Sequence, residues 1–141
     1  MLTKRNLKKE LDLLRFEYNS LKNDFSVLSF KIENPKGYCF KYVERNNNGL
    51  INRSISDIYF MYLYTNTALN ETVIREVWIG DMYTENLDDI KYEVIEENKY
   101  KFKIKYSLID YNRKKQEKYF EVNKKSGEQS LLTTLISKII D

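Results

Sequence analysis

A chain of 141 residues with 42% hydrophobic and 32% charged residues is large enough to bury a real core, which excludes a disordered tail. It holds no histidine, one cysteine (Cys39) and four scattered glycines. That removes the commonest general base and transition-metal ligand, a structural zinc site, an intrachain disulfide and a glycine-rich phosphate loop.

The net charge of +3 is unevenly spread: residues 1–32 carry seven basic against four acidic side chains, residues 33–98 six against twelve, and residues 99–141 eleven against five. Oppositely charged surfaces of one fold neutralise each other in this way, and the same pattern also serves head-to-tail assembly or an acidic partner. The abundance of Lys, Asn, Ile, Tyr and Phe is what AT-rich coding produces, so the twelve tyrosines require no functional explanation. No apolar run reaches the ~18 residues of a membrane span. Met1–Leu14 alternates charges with leucines where a secretory leader requires a continuous apolar stretch, and the expectation is a cytoplasmic protein with no membrane partner.

The first element is a helix, expected over residues 1–33 with its body from Lys4 to Ile32. Leu7, Leu11, Leu14, Tyr18, Leu21, Phe25, Leu28 and Ile32 follow one another at alternating steps of four and three, the a/d repeat of a coiled coil. Thr3 is the expected N-cap, and Asn34-Pro35-Lys36-Gly37 supplies the stop. With the four leucines at d, position e reads Lys8, Arg15, Lys22 and position g reads Glu10, Glu17, Asp24. A parallel pair then sets Glu10 near Arg15 and Glu17 near Lys22 of a second copy, whereas an antiparallel pair sets like charges together. The oligomer interface is therefore expected at Leu7, Leu11, Leu14, Tyr18, Leu21, Phe25 and Leu28. Further apolar residues, Leu13, Phe16, Val27 and Phe30, occupy c and f on the other side, so the helix is two-faced. A seam of this kind also serves a core helix packed on its own sheet, and both expectations stand.

An antiparallel meander of about five or six strands is expected over residues 37–125. Tyr38–Arg45 is followed by Asn46-Asn47-Asn48-Gly49, a hairpin signal, and the runs Ile58–Tyr64 and Thr72–Ile79 read as strands, the first also compatible with a helix. In Tyr100–Tyr106 apolar residues alternate strictly with lysine, giving one buried and one wet face. A three-residue loop at Glu96-Glu97-Asn98 pairs Val94 with Tyr100, Tyr92 with Phe102 and Ile90 with Ile104. A second loop centred on Asn112 sets Phe120 opposite Ile104 and Val122 opposite Phe102. On the wet face Glu93 then falls opposite Lys101 and Glu121 opposite Lys103, and Tyr100, Phe102 and Tyr106 point inward. The segment 127–141, with Leu131, Leu132, Leu135, Ile136 and Ile139 at helical spacing, is expected as a short docking helix. The fold class is α+β in one domain over residues 1–141.

Chemistry is sparse. The carboxylates Asp81, Glu85, Asp88, Asp89, Glu93, Glu96 and Glu97 match no calcium-loop spacing and read as a solvated acidic loop, so no metal or other cofactor is expected. Arg113, Lys114 and Lys115 at a loop tip, left unpaired, are the candidate nucleic-acid contacts. Cys39 reads as an inert strand thiol. Trp78, Tyr59, Tyr62 and Tyr64 suit core packing, or the lining of a pocket. The leading expectation is a non-enzymatic binding or adaptor protein acting as a homo-oligomer, simplest as a homodimer. Its alternatives are a small-ligand-binding or sequestering inhibitor of phage or mobile-element origin, and a nucleic-acid-binding protein.

Overall fold

A computed structural model describes residues 3–45, 54–109 and 114–138. The class is α+β: helix α1 (Lys4–Glu33) is followed by strands β1 (Tyr38–Arg45), β2 (Ile55–Asn66) and β3 (Glu71–Tyr83), then a 3-10 turn over Thr84–Asp89. After it come β4 (Ile90–Glu97), β5 (Lys101–Ile109), β6 (Lys114–Asn123) and β7 (Gln129–Lys138). Where a single meander was expected, the strands form two antiparallel sheets, one of order β1-β2-β3 and one of order β4-β5-β6-β7. The chain divides into two compact units, Met1–Tyr38 with Tyr62–Ile74, and Cys39–Met61 with Arg75–Asp141.

The first unit is built on α1. The Thr3 hydroxyl accepts from the Asn6 amide at 3.3 Å, satisfying one of the amides that a helix start leaves orphaned. At the other end both the backbone N–H and the side-chain amide of Asn34 donate to the Phe30 carbonyl, and Pro35 prevents continuation. Val27 and Phe30 are buried, as is Tyr62 on β2. The Asn23 side-chain amide donates to the Thr72 carbonyl at 2.9 Å, tying the helix to the start of β3. The β2–β3 turn is closed by Asn66, whose side-chain oxygen accepts from the Ala68 and Leu69 amides.

The second unit has an aromatic core. β2 buries alternate residues, Ser56, Ile58 and Phe60, which settles Ile58–Tyr64 as strand. Together with Val77, Phe102, Ile104, Phe120 and Val122 these form the buried set among the described residues of the unit. Phe60 meets Phe102 edge to face at 4.9 Å, and Phe40 lies 5.2 Å from Phe60 and 5.6 Å from Tyr92, so rings from the two sheets interlock. Full burial of each such side chain contributes about 1.5–3 kcal/mol, making this cluster the main stabilising element of the unit.

The β5–β6 register is the expected one, Phe102 with Val122 and Ile104 with Phe120. The β4–β5 register is not. Val94 pairs with Ile104, Tyr92 with Tyr106 and Ile90 with Leu108, while Glu93 faces Lys105. The cause is a bulge at Ile95 together with Asn98, whose side-chain oxygen accepts from the Tyr100 and Lys101 amides while its own N–H donates to the Lys101 carbonyl. This makes Asn98–Lys101 the turn and lifts Tyr100 out of the sheet, where it is exposed and not inward as expected.

The expected C-terminal helix over residues 127–141 is corrected: its described part is β7, antiparallel to β6. The Asn123 side-chain oxygen accepts from the Lys125 and Ser126 amides, and Gly127 adopts a φ of +71°, so the chain reverses directly into a hairpin. A bulge between Tyr119 and Phe120 of β6 leaves Leu132 as an extra residue on β7. An added residue makes a strand's apolar spacing imitate a helical stripe, and β-branched Thr133, Thr134 and Ile136 favour the strand. The expected turns at 46–49 and around Asn112 lie outside the described residues, as do Arg113 and Ile139.

Candidate functional site

A long row of exposed large apolar side chains among the described residues is the a/d seam of α1. All eight residues from Leu7 to Ile32 are exposed, ranging from 48% at Leu11 to 72% at Phe25. Val27 and Phe30 of the second stripe are buried at 7% each, while Leu13 and Phe16 of that stripe remain exposed. The helix is thus two-faced as expected, with its own unit covering only the last turns of one side. Soluble surfaces rarely carry so many large apolar side chains in one row, and a partner-binding role is the usual physical reason. Polar groups flank the row: Lys8, Arg15 and Lys22 on one side and Glu10, Glu17 and Asp24 on the other are all exposed.

Two of the three β5 lysines, Lys101 and Lys105, are ion-paired, as is Lys124 just after β6. Lys101 pairs with Glu121 and Lys124 with Glu97, each at 2.9 Å, and Lys105 lies 3.6 Å from Glu117. Lys115, one of the candidate nucleic-acid contacts expected to be unpaired, binds Glu117 at 2.8 Å, and Tyr119 donates to the same carboxylate. This corrects the picture of a free basic tip: Lys115 already has a carboxylate neighbour on its own strand. Lys114 begins β6, and Arg113 lies outside the described residues.

The acidic group is dispersed. Asp81 lies on β3, Glu85, Asp88 and Asp89 lie in the 3-10 turn, and Glu93, Glu96 and Glu97 lie on β4. Among the described residues no three or more acidic or cysteine side chains assemble into a metal-holding group. Cys39 is half-buried on β1. Trp78, expected in the core or a pocket, is exposed, and its indole N–H donates to Asp57 at 3.0 Å.

That bond belongs to a cluster which sequence patterning does not reveal. Arg45 on β1 binds both Asp57 on β2 and, at 2.9 Å, Asp81 on β3, so one guanidinium spans the three-stranded sheet. The two hydrogen bonds, from Arg45 and then Trp78, hold the Asp57 carboxyl below the usual carboxylate range. The pairs become visible only once strand register is known.

A concavity is bounded by Tyr92, Tyr106, Lys118 and Phe120, and its described lining includes none of Tyr59, Tyr62 and Tyr64. A sequence signal for it exists: Lys118 occupies the same strand parity as the buried Phe120 and Val122, an unusual place for a lysine.

No described helix is long and apolar enough to cross a membrane. Neither a known family model, nor a curated protein, nor a solved structure matches the chain.

Proposed function

We propose that the protein is a non-enzymatic binding or adaptor module that acts as a homo-oligomer, its copies joined by parallel pairing of α1. The observation that carries this reading is the exposure of every a/d residue of the helix, at 48% or more. A second copy is the occupant that fits best, because the flanks are self-complementary: acidic g positions on one helix face basic e positions on the other. The apolar seam drives association, since burying a leucine contributes about 1.5–3 kcal/mol, whereas each exposed ion pair contributes a few tenths and selects orientation. Tyr18 and Phe25 at a positions widen the seam around the leucines at d.

Sedimentation at tens of micromolar tests this. The wild type is expected above monomer mass, and Leu14→Asp with Leu21→Asp is expected at monomer mass with unchanged circular dichroism. A wild-type monomer at that concentration overturns the reading.

A further inference from the structure

A cavity of about 470 Å³ opens in the second unit, within the size range of small-molecule sites. Its walls include Tyr92 on β4, Tyr106 on β5, Lys118 and Phe120 on β6, and Leu131 on β7. Gly80 on β3 also lines it, in a backbone conformation (φ +153°) that side chains rarely adopt. A Cβ built there would stand 3.8 Å from the Tyr92 hydroxyl, so any larger side chain would occupy the space before that group.

Three polar groups at this cavity, Tyr92, Tyr106 and Lys118, share one property. Tyr92 and Tyr106 meet edge to face at 5.1 Å, and Lys118 Nζ lies 5.7 Å from the centre of the Tyr106 ring. Among the described residues neither phenol hydroxyl has a hydrogen-bond partner and Lys118 has no carboxylate at ion-pairing distance. Among the described residues no fully buried side-chain polar atom lacks a partner, so these unpartnered hydroxyls open to solvent. Burial raises both phenols above their ordinary pKa, so they are neutral donors at physiological pH. Two O–H donors and one ammonium therefore line a single concavity, and what they complement is a negatively charged hydrogen-bond acceptor.

The rest of the lining narrows the choice. Lys118 is the only cation among the described lining residues, and Asp81 also borders the cavity with its charge partly offset by Arg45. A single cation near a carboxylate suits a monoanion and disfavours a phosphate dianion. Phe120 and Leu131 supply apolar wall for a planar body. We infer that this cavity binds a small aromatic carboxylate, its carboxylate against Lys118 and the hydroxyls of Tyr92 and Tyr106, its ring against Phe120 and Leu131.

The test is calorimetric titration of the full chain with indole-3-acetate and 4-hydroxyphenylacetate, beside their primary amides and phenyl phosphate. For ligands of this size the acids are expected to bind with Kd between about 10 µM and 1 mM. The amides and phenyl phosphate are expected to bind about tenfold more weakly or not at all. Lys118→Met, at an exposed position, is expected to weaken the acids about tenfold, and Tyr106→Phe severalfold. Leu131→Trp, also at an exposed position, is expected to abolish binding by filling the cavity. The Leu14→Asp, Leu21→Asp variant is expected to bind the acids as the wild type does, because no residue of α1 lines the cavity. Equal binding of acid and amide, tighter binding of phenyl phosphate, no binding of either acid at about 5 mM, or an unchanged affinity in Lys118→Met would each overturn the assignment.

Discussion

Phe60 and Phe102 join the two sheets of the second unit, their rings 4.9 Å apart at 77° and both side chains almost wholly withdrawn from solvent. Truncating either leaves a cavity that close-packed neighbours cannot fill. Phe102→Ala is expected to lower unfolding free energy by about 3–5 kcal/mol, read from urea midpoints at constant m-value. Phe25→Ala serves as the counterpart: at 72% exposure on α1 it is expected to change stability by less than about 0.5 kcal/mol in a monomeric background such as Leu14→Asp, Leu21→Asp.

The Arg45 clamp makes stability depend on acid. The folded-state pKa of Asp57 lies below its unfolded value, first through Arg45 and then through Trp78. Its contribution is therefore present above the unfolded carboxylate pKa and is lost as pH falls through the folded value. Arg45→Met is expected to lower the urea midpoint at neutral pH and to flatten its decline between about pH 5 and pH 2 relative to wild type. Glu117, also held low by Lys115 and Tyr119, contributes an acid-side decline common to both proteins. An unchanged pH profile in Arg45→Met would show that the clamp does not couple to folding.

How far the sequence reveals this protein depends on whether side-chain period or turn geometry decides. The helix from Lys4 to Glu33 follows from a repeat sustained over four heptads and its Thr3 cap from residue type, whereas the exposure of the seam does not, since the same repeat also suits a core helix. The β5–β6 register follows from strict alternation, since a slip of one residue puts Lys103 where Phe102 belongs. The β4–β5 register fails because a bulge at Ile95 shifts the pairing and Asn98 accepts two amides and moves the turn, and β7 fails because a bulge at Leu132 disguises a strand as a helical stripe. Arg45, Asp57 and Asp81 are far apart in sequence and carry no pattern before the three-stranded sheet brings them together. Of the cavity residues, Lys118 carries a sequence signal, because it breaks the apolar alternation of Phe120 and Val122 on β6.

The β6–β7 hairpin rests on two residues of its turn. Gly127 at φ +71° occupies a region where a Cβ costs about 1 kcal/mol, and Asn123 satisfies two turn amides with one oxygen. Gly127→Ala and Asn123→Ala are each expected to destabilise by about 1 kcal/mol and to speed amide exchange along β7 more than along β5. If residues 127–138 were helical in solution, Gly127→Ala would stabilise them instead, because alanine is the better helix former.

Orientation of the α1 pair has a test that exposure alone does not provide. In a parallel pair Glu10 and Glu17 face Arg15 and Lys22 of the second copy, four contacts in all by two-fold symmetry. Reversing the acidic side with Glu10→Lys and Glu17→Lys turns each attraction into repulsion, and a few tenths of a kcal/mol per contact in each direction sums to about 1–2 kcal/mol, or roughly tenfold in dimer Kd. Adding Arg15→Glu and Lys22→Glu exchanges the two flanks and is expected to restore the wild-type Kd at low salt. An antiparallel pair sets e beside e and g beside g, where the wild type already places like charges together, so neither single-flank reversal nor full exchange would weaken it relative to wild type. Sedimentation of the three proteins at low and high salt separates these cases, since screening shrinks the parallel-pair differences toward zero while leaving the leucine seam intact.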